Sequence, residues 1–128
     1  MHAKLLSLSL LGALALTLVA GPVQARDDEV RRHGSCSGGP SEWKLRVRSE
    51  TGTSLRVMFV IEESAAGQEW QLFLSDDGTR IYAGSKVSND EGKVRVRKIT
   101  TDRDGSDRIK ASGVNVVTGE SCSGSLTY

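Results

Sequence analysis

The chain has 128 residues, with 17 Lys and Arg side chains against 16 Asp and Glu, so its formal net charge is only +1 at pH 7. Such a small net charge excludes strong attraction of the whole molecule to nucleic acid or to a membrane surface. Any electrostatic contact must come from a local charged patch. The length suits a single domain.

The first predicted element is a secretory signal peptide over residues 1–25. Lys4 provides a basic start, residues 5–20 form an apolar run, and Val23-Gln24-Ala25 is a small-residue cleavage site, with cleavage after Ala20 as an alternative. The apolar run is about 16 residues long, shorter than the roughly 20 that a membrane anchor needs. We therefore expect a secreted, extracellular protein whose mature chain has no membrane span.

Residues 26–35 are charged and have no hydrophobic period, so we predict a flexible N-terminal arm there and a folded domain over 36–128. Cys36 and Cys122 lie near the two ends of this domain. In an oxidising compartment, such a pair predicts a disulfide that ties the first edge to the last strand. Two cysteines without a nearby histidine make a poor metal site.

Apolar and polar residues alternate with period two from Trp43 onward, which predicts strands with one buried face. We predict about seven strands, at 43–48, 55–62, 70–74, 79–85, 93–97, 108–113 and 122–128. Asp77-Gly78 predicts a tight hairpin, and a slip of phase at Lys98-Ile99 predicts a β-bulge. The pattern predicts an all-β, antiparallel immunoglobulin-like or fibronectin-type sandwich. A small open β-barrel is the alternative.

Several short motifs span the predicted domain: Cys36-Ser37-Gly38, the basic-apolar strand 43–48, Val94-Arg95-Val96-Arg97, Ser106-Asp107-Arg108-Ile109 and the segment 122–128. In these features the chain resembles a group of short secreted bacterial proteins, of uncharacterised function, that have an immunoglobulin-like β-sandwich and an end-to-end cysteine pair. The resemblance implies the fold and export. It assigns no site residue.

The sequence shows no catalytic signature. His33 is the only histidine after the signal peptide, and it lies in the predicted arm, without the packing that the base of a Ser-His-Asp triad needs. Carboxylate pairs such as Asp76-Asp77 and Asp90-Glu91 fall at turns, where they are common for conformational reasons. We expect a protein that is not an enzyme and that uses no cofactor.

One acidic loop resembles a cation-binding segment. Asp102, Asp104 and Asp107 alternate with other residues around Gly105, a pattern that can wrap oxygen ligands around Ca²⁺. The loop lacks the terminal Glu of an EF-hand, and Arg103 within it would oppose a cation. A solvated turn is the alternative interpretation, and the sequence alone assigns no metal.

Basic residues, in contrast, fall on the outward phase of three predicted strands. They are Lys44, Arg46, Arg48, Arg56, Lys93, Arg95 and Arg97. In an immunoglobulin-like topology the first, second and fifth predicted strands are neighbours, so these side chains would form one basic face. The face could contact an anionic surface, or it could be a solvated sheet face that deters aggregation.

The predicted function is therefore a secreted, non-enzymatic binding module whose partner would be a cell-wall polymer, a polysaccharide or an acidic protein. Nucleic acid is not expected, because the chain has few aromatic side chains on which bases could stack. Alternatives are a secreted protease inhibitor that uses the loops 63–69 or 85–92, and a calcium-binding β domain.

Overall fold

The computed structural model describes residues 29–128, so the predicted signal peptide and residues 26–28 lie outside the described residues. Within this range the chain forms eight strands and no helix. The strands are Glu29–Ser35 (β1), Glu42–Thr51 (β2), Ser54–Glu62 (β3), Glu69–Asp76 (β4), Thr79–Val87 (β5), Val94–Thr101 (β6), Arg108–Asn115 (β7) and Ser121–Thr127 (β8). No helix in this part of the chain could therefore cross a membrane.

The strands form two separate four-stranded sheets, which confirms the predicted all-β sandwich over the open barrel. Sheet 1 has the order β1-β2-β3-β6, and sheet 2 has the order β5-β4-β7-β8. Every neighbouring pair is antiparallel. The seven predicted strands correspond to β2–β8, and the first, second and fifth of them are neighbours in sheet 1, as the immunoglobulin-like topology requires.

The prediction of a flexible arm is wrong for residues 29–35, which form β1. This strand pairs with β2 along its whole length, from Glu29 opposite Arg48 to Ser35 opposite Glu42. Its pairing rests on main-chain hydrogen bonds at a sheet edge, which need no hydrophobic alternation. Only Val30 packs against the core from this strand, so the sequence pattern carries little sign of it.

The predicted β-bulge at Lys98-Ile99 is also wrong. The strands β3 and β6 pair without a register shift from Ser54 opposite Thr101 to Ile61 opposite Val94. Ile99 breaks the sequence pattern because it is an apolar residue on the outer face, where it is 44% exposed. The tight turn at Asp77-Gly78 is confirmed, and both residues have positive φ, at 50° and 86°.

The core lies between the two sheets and follows the predicted alternation. Sheet 1 contributes Leu45, Val47 and Phe59 among others, and sheet 2 contributes Trp70 and Leu72, all almost fully buried. The Trp70 indole N–H donates to Ser64 Oγ at 3.1 Å, which satisfies the one polar atom of this large side chain. Residues of the opposite phase are left on the outer faces, where the candidate site lies.

The predicted disulfide between Cys36 and Cys122 is confirmed. It joins the end of β1, an edge of sheet 1, to β8, an edge of sheet 2. Beside it, the Ser37 and Ser121 main chains exchange hydrogen bonds of 2.7 and 3.0 Å. The Trp43 ring packs directly over Gly124, where any Cβ would collide with it. One side of the sandwich is therefore clamped from sheet to sheet.

Candidate functional site

The outer face of sheet 1 gathers the predicted basic residues together with Arg31 of β1. We call this surface the basic face. Its cationic members are Arg31, Lys44, Arg46, Arg48, Arg56, Lys93, Arg95 and Arg97, and its acidic members are Glu29, Glu42, Glu50 and Glu62.

Strand register sets the arrangement of these side chains. On β3, Val60 stands opposite Lys44 of β2 on one side and opposite Arg95 of β6 on the other. The next outward residue, Met58, is flanked in the same way by Arg46 and Arg97. A strip of two apolar residues on β3 is therefore bordered by cations on both neighbouring strands.

This strip is the floor of a groove with a volume of about 370 Å³. The rest of the lining is basic apart from one carboxylate, that of Glu62 on β3. The cationic and histidine side chains are Arg31, Arg32, His33, Lys44 and Arg46 from β1 and β2, and Arg95 from β6. Adjacent strands are about 4.8 Å apart, so β2 and β6 are separated by about 10 Å. Such a groove has the width for one extended chain lying along β3.

Carboxylates neutralise the two ends of the basic face more than its middle. At one end, Glu62 lies 3.2 Å from Lys44 Nζ and 3.7 Å from Lys93 Nζ. At the other end, Glu50 lies 2.6 Å from Arg56 Nη2. Among the described residues, no carboxylate lies within ion-pair distance of Arg48, Arg95 or Arg97. The β6 side therefore carries the least compensated positive charge.

Glu29 lies among positively charged side chains at the edge of the basic face. Its carboxylate lies 3.0 Å from Arg31 Nη2 and 3.6 Å from Arg46 Nη1. The hydrogen bond from Arg31 lowers the pKa of Glu29 below its ordinary value, and the charges of Arg31, Arg46 and Arg48 act in the same direction. A carboxylate with a lowered pKa reports a positive local potential.

Arg31 and His33 were missed as members of this surface because the prediction treated residues 26–35 as an arm. Residues 29–34 offer little alternation, because Val30 is the one large apolar side chain on the inner phase, so the strand becomes evident only from its pairing with β2. Met58 and Val60 fall on the same outward phase of β3 as the predicted Arg56. Their role as the floor between two rows of cations needs the strand order as well.

The outer face of sheet 2 has a different chemistry. A shallow depression of about 480 Å³ is lined by Ser75, Ser112, Ser123 and Ser125 with Phe73 and Lys110. The Arg80 guanidinium stacks on the Phe73 ring, 4.7 Å from its centroid. Besides its serines and a few cations, this face exposes Val87 and Val114, and it serves as an internal reference for the basic face.

The loops considered for protease inhibition are bound to each other. Ser64 N–H donates to Gly92 O at 3.1 Å, and Ser88 Oγ donates to Ala65 O at 2.6 Å. Ser88 is almost fully buried between them. These hydrogen bonds therefore join the two loops to each other at one end of the sandwich. We find no feature in them that specifies a protease.

The aspartates predicted as a calcium set are placed differently from one another. Asp107 is fully buried, Asp102 is partly buried and Asp104 is exposed. Asp107 instead meets Asp76 and Asp77 of the β4–β5 hairpin, with carboxylate oxygens all within 4.8 Å of one another. Burial raises the pKa of Asp107, and the neighbouring Asp76 carboxyl raises it further. This group is distinct from the basic face.

Comparisons with known proteins add little to this geometry. The sequence matches no protein-family model. It matches no curated protein. One solved structure, described as the crystal structure of a Br derivative of BhCBM56, is similar over 74% of this chain and 98% of its own, with 13% sequence identity and a TM-score of 0.38. At that similarity it carries no inference about what this chain binds, so the function must be argued from the site itself.

Proposed function

We propose that the protein is a non-enzymatic binding module for an extended, acidic polysaccharide, which it holds along β3 in the groove of the basic face. The observation that supports this most directly is the apolar strip of Met58 and Val60 with Arg95 and Arg97 beside it on β6, for which the described residues offer no carboxylate within ion-pair distance. Carboxylate or sulfate groups would pair with the cations, and the carbon-bound hydrogens of the sugar rings would pack on the strip.

The chemistry of the groove favours an anionic ligand over a neutral sugar. None of the outward residues of sheet 1 is aromatic, so the face lacks the planar rings that stack on sugar rings or bases. Arg46 and Arg95 instead offer planar guanidinium groups, which bind carboxylates and sulfates through pairs of hydrogen bonds.

The position of the groove favours a polysaccharide over an acidic peptide. Extended peptides commonly bind to proteins by adding a strand to a free sheet edge, where main-chain groups are unpaired. The floor of this groove is β3, whose main chain is paired with β2 on one side and β6 on the other. A peptide lying there would find no main-chain partners, whereas a sugar chain needs only side-chain contacts.

The direct test is binding to dextran sulfate, with neutral dextran as the matched uncharged polymer, measured by isothermal titration calorimetry. We expect dextran sulfate to bind and dextran not to bind. Exposed charges are screened over about 8 Å at physiological ionic strength. The affinity should therefore fall strongly when NaCl is raised from 50 to about 300 mM.

The groove is tested by the double variant Arg46→Glu with Arg95→Glu. We expect it to weaken binding by about tenfold or more, equivalent to about 1.4 kcal/mol. The matched control is Arg108→Glu with Lys110→Glu, which makes the same charge change on the exposed surface of sheet 2. The control should change affinity by less than about threefold, because its sites lie on the other side of the sandwich.

Three outcomes would contradict the proposal. An equal loss in both double variants would mean that only the net charge matters. Tighter binding of poly-glutamate than of dextran sulfate would favour an acidic protein partner. Binding to single-stranded DNA with the highest affinity would favour nucleic acid.

A further inference from the structure

The aspartate cluster formed by Asp76, Asp77 and Asp107 brings buried carboxylates together at one end of the sandwich. Asp76 ends β4 and Asp77 follows it in the hairpin turn, whereas Asp107 immediately precedes β7. Asp102 lies at the start of the same β6–β7 connection, which crosses from sheet 1 to sheet 2. The cluster therefore lies where the chain passes between the sheets.

Hydrogen bonds account for one oxygen of each of these three carboxylates. Asp76 Oδ2 accepts from Thr100 Oγ1 at 3.4 Å, and Asp107 Oδ1 accepts from the Arg103 backbone N–H, also at 3.4 Å. Asp77 Oδ1 accepts from the Arg108 backbone N–H at 2.8 Å. These contacts leave the second oxygen of each carboxylate without a hydrogen bond from the same donors.

Two of those oxygens are buried without a partner. Within residues 29–128, Asp76 Oδ1 and Asp107 Oδ2 have no hydrogen-bond donor, and both residues are 0% exposed. A buried, unpartnered carboxylate oxygen is strongly destabilising unless a proton or a cation neutralises it. Here the two oxygens belong to adjacent carboxylates. The free-energy cost of burying each oxygen therefore adds to the electrostatic repulsion between the two groups.

Arg103 compensates this charge only in part. Its Nε atom lies 3.9 Å from Asp76 Oδ2, and its side chain is 44% exposed. It approaches the oxygen that Thr100 already contacts, not the unpartnered Oδ1. In the described chain this is the one ion pair of the cluster, and one half-exposed cation cannot neutralise three gathered carboxylates.

We propose that the aspartate cluster is a Ca²⁺ site, with Asp76 Oδ1 and Asp107 Oδ2 as its buried ligands and Asp77 as its exposed one. Ca²⁺ prefers several oxygen ligands in flexible geometry, and it accepts water at the remaining positions, which the exposed Asp77 side leaves accessible. Asp102, beside Asp107, is an additional carboxylate within reach of this end. The site therefore differs from the set predicted from the sequence, because it includes the hairpin and excludes Asp104.

The bound ion would act as a second clamp. The disulfide ties β1 to β8 on one side of the sandwich. The ion would tie the β4–β5 hairpin to the segment that leads into β7, both in sheet 2, and Asp102 would extend this link to the end of β6 in sheet 1. In this way Ca²⁺ would stabilise the fold without touching the groove on the basic face.

The test is the thermal midpoint of the purified protein, first in EDTA and then with 10 mM CaCl₂. For an extracellular-type site with a Kd of about 0.1–1 mM, we expect the midpoint to rise by at least about 5 °C. MgCl₂ at the same concentration should give less than half of that rise, since Mg²⁺ demands a smaller octahedral site. No rise with Ca²⁺, or an equal rise with Mg²⁺, would overturn the proposal.

The variant Asp107→Asn should lose the Ca²⁺-dependent rise, whereas Asp104→Asn should keep it. The second variant is a matched control, because it removes the same charge from an exposed position in the same loop. As a measurement that needs no variant, Ca²⁺ should shift the backbone amide NMR signals of Asp76, Asp77 and Asp107 in the wild-type protein. A Ca²⁺ response that is unchanged in Asp107→Asn, or shifts confined to other loops, would refute the site.

Discussion

The basic face and the aspartate cluster show how differently one protein can carry like charges. The basic face gathers more charges, but its side chains extend into water, where the interactions are screened and nearby carboxylates offset many of them. The aspartate cluster has only a few charges, yet Asp76 and Asp107 are fully buried and each keeps an unpartnered oxygen. Burial, more than the number of charges, decides which region has the larger unfavourable effect on the free energy of folding.

We expect the largest effect on stability from a substitution in the buried aspartate cluster. In EDTA, we expect Asp76→Asn to increase the free energy of unfolding by about 1–3 kcal/mol, because it removes a buried carboxylate with one unpartnered oxygen and adds a donor beside Asp107. The measurement is equilibrium unfolding in urea, and the control is Asp90→Asn in an exposed loop. Destabilisation by Asp76→Asn would contradict this expectation, because it would show that the Asp76 carboxylate makes net favourable contacts in the folded protein.

A smaller effect is expected on the exposed side. No carboxylate of the part of the chain that the structure describes lies within ion-pair distance of Arg97, so Arg97→Gln should change the free energy of unfolding by less than about 0.5 kcal/mol. The same variant should weaken dextran sulfate binding a few-fold, since it removes one cation from beside Met58. Lys110→Gln on sheet 2 should leave both quantities unchanged. A large loss of stability in Arg97→Gln would contradict the contrast between the regions.

The smallest effect concerns the titration of Glu29. Its pKa is lowered in the folded protein, so its contribution to stability is present above its ordinary pKa and is lost as the pH falls through the lowered value. Carbon-detected NMR of the Glu29 carboxyl should show a titration midpoint below the ordinary one. The midpoint should move upward in Arg31→Gln. Identical midpoints in the two proteins would show that Arg31 does not hold this carboxylate.

The fold was largely predictable from sequence because strand alternation is a local property. Residues such as Leu45 and Val47 point inward, and Lys44 and Arg46 point outward, whatever lies on the other side of the sheet. The topology then followed from turn residues such as Asp77-Gly78 and from the usual strand order of this kind of sandwich. The edge strand β1 escaped prediction, because its pairing depends on the main chain and only Val30 marks its inner face.

The two candidate sites differ in the same respect. The outward orientation of the basic residues could be predicted from the sequence. Which of them face each other across the sheet depends on the strand order. The aspartate cluster joins a hairpin to a segment distant in sequence, so the spacing of aspartates in 102–107 could not indicate that Asp107 meets Asp76 and Asp77. Asp104 fits the sequence spacing but lies exposed, whereas Asp76 is buried beside Asp107.

The amino-acid sequence by itself determined which side of each strand faces the core, where the tight hairpin turns and which two cysteines join, because these depend on local periodicity or on a unique pair. Only the tertiary structure decided that β1 completes sheet 1, that Met58 and Val60 lie between two rows of cations, and that Asp76 meets Asp107. The physical reason is that contacts between remote segments depend on strand order and on the crossing of the chain between sheets, which no local pattern encodes.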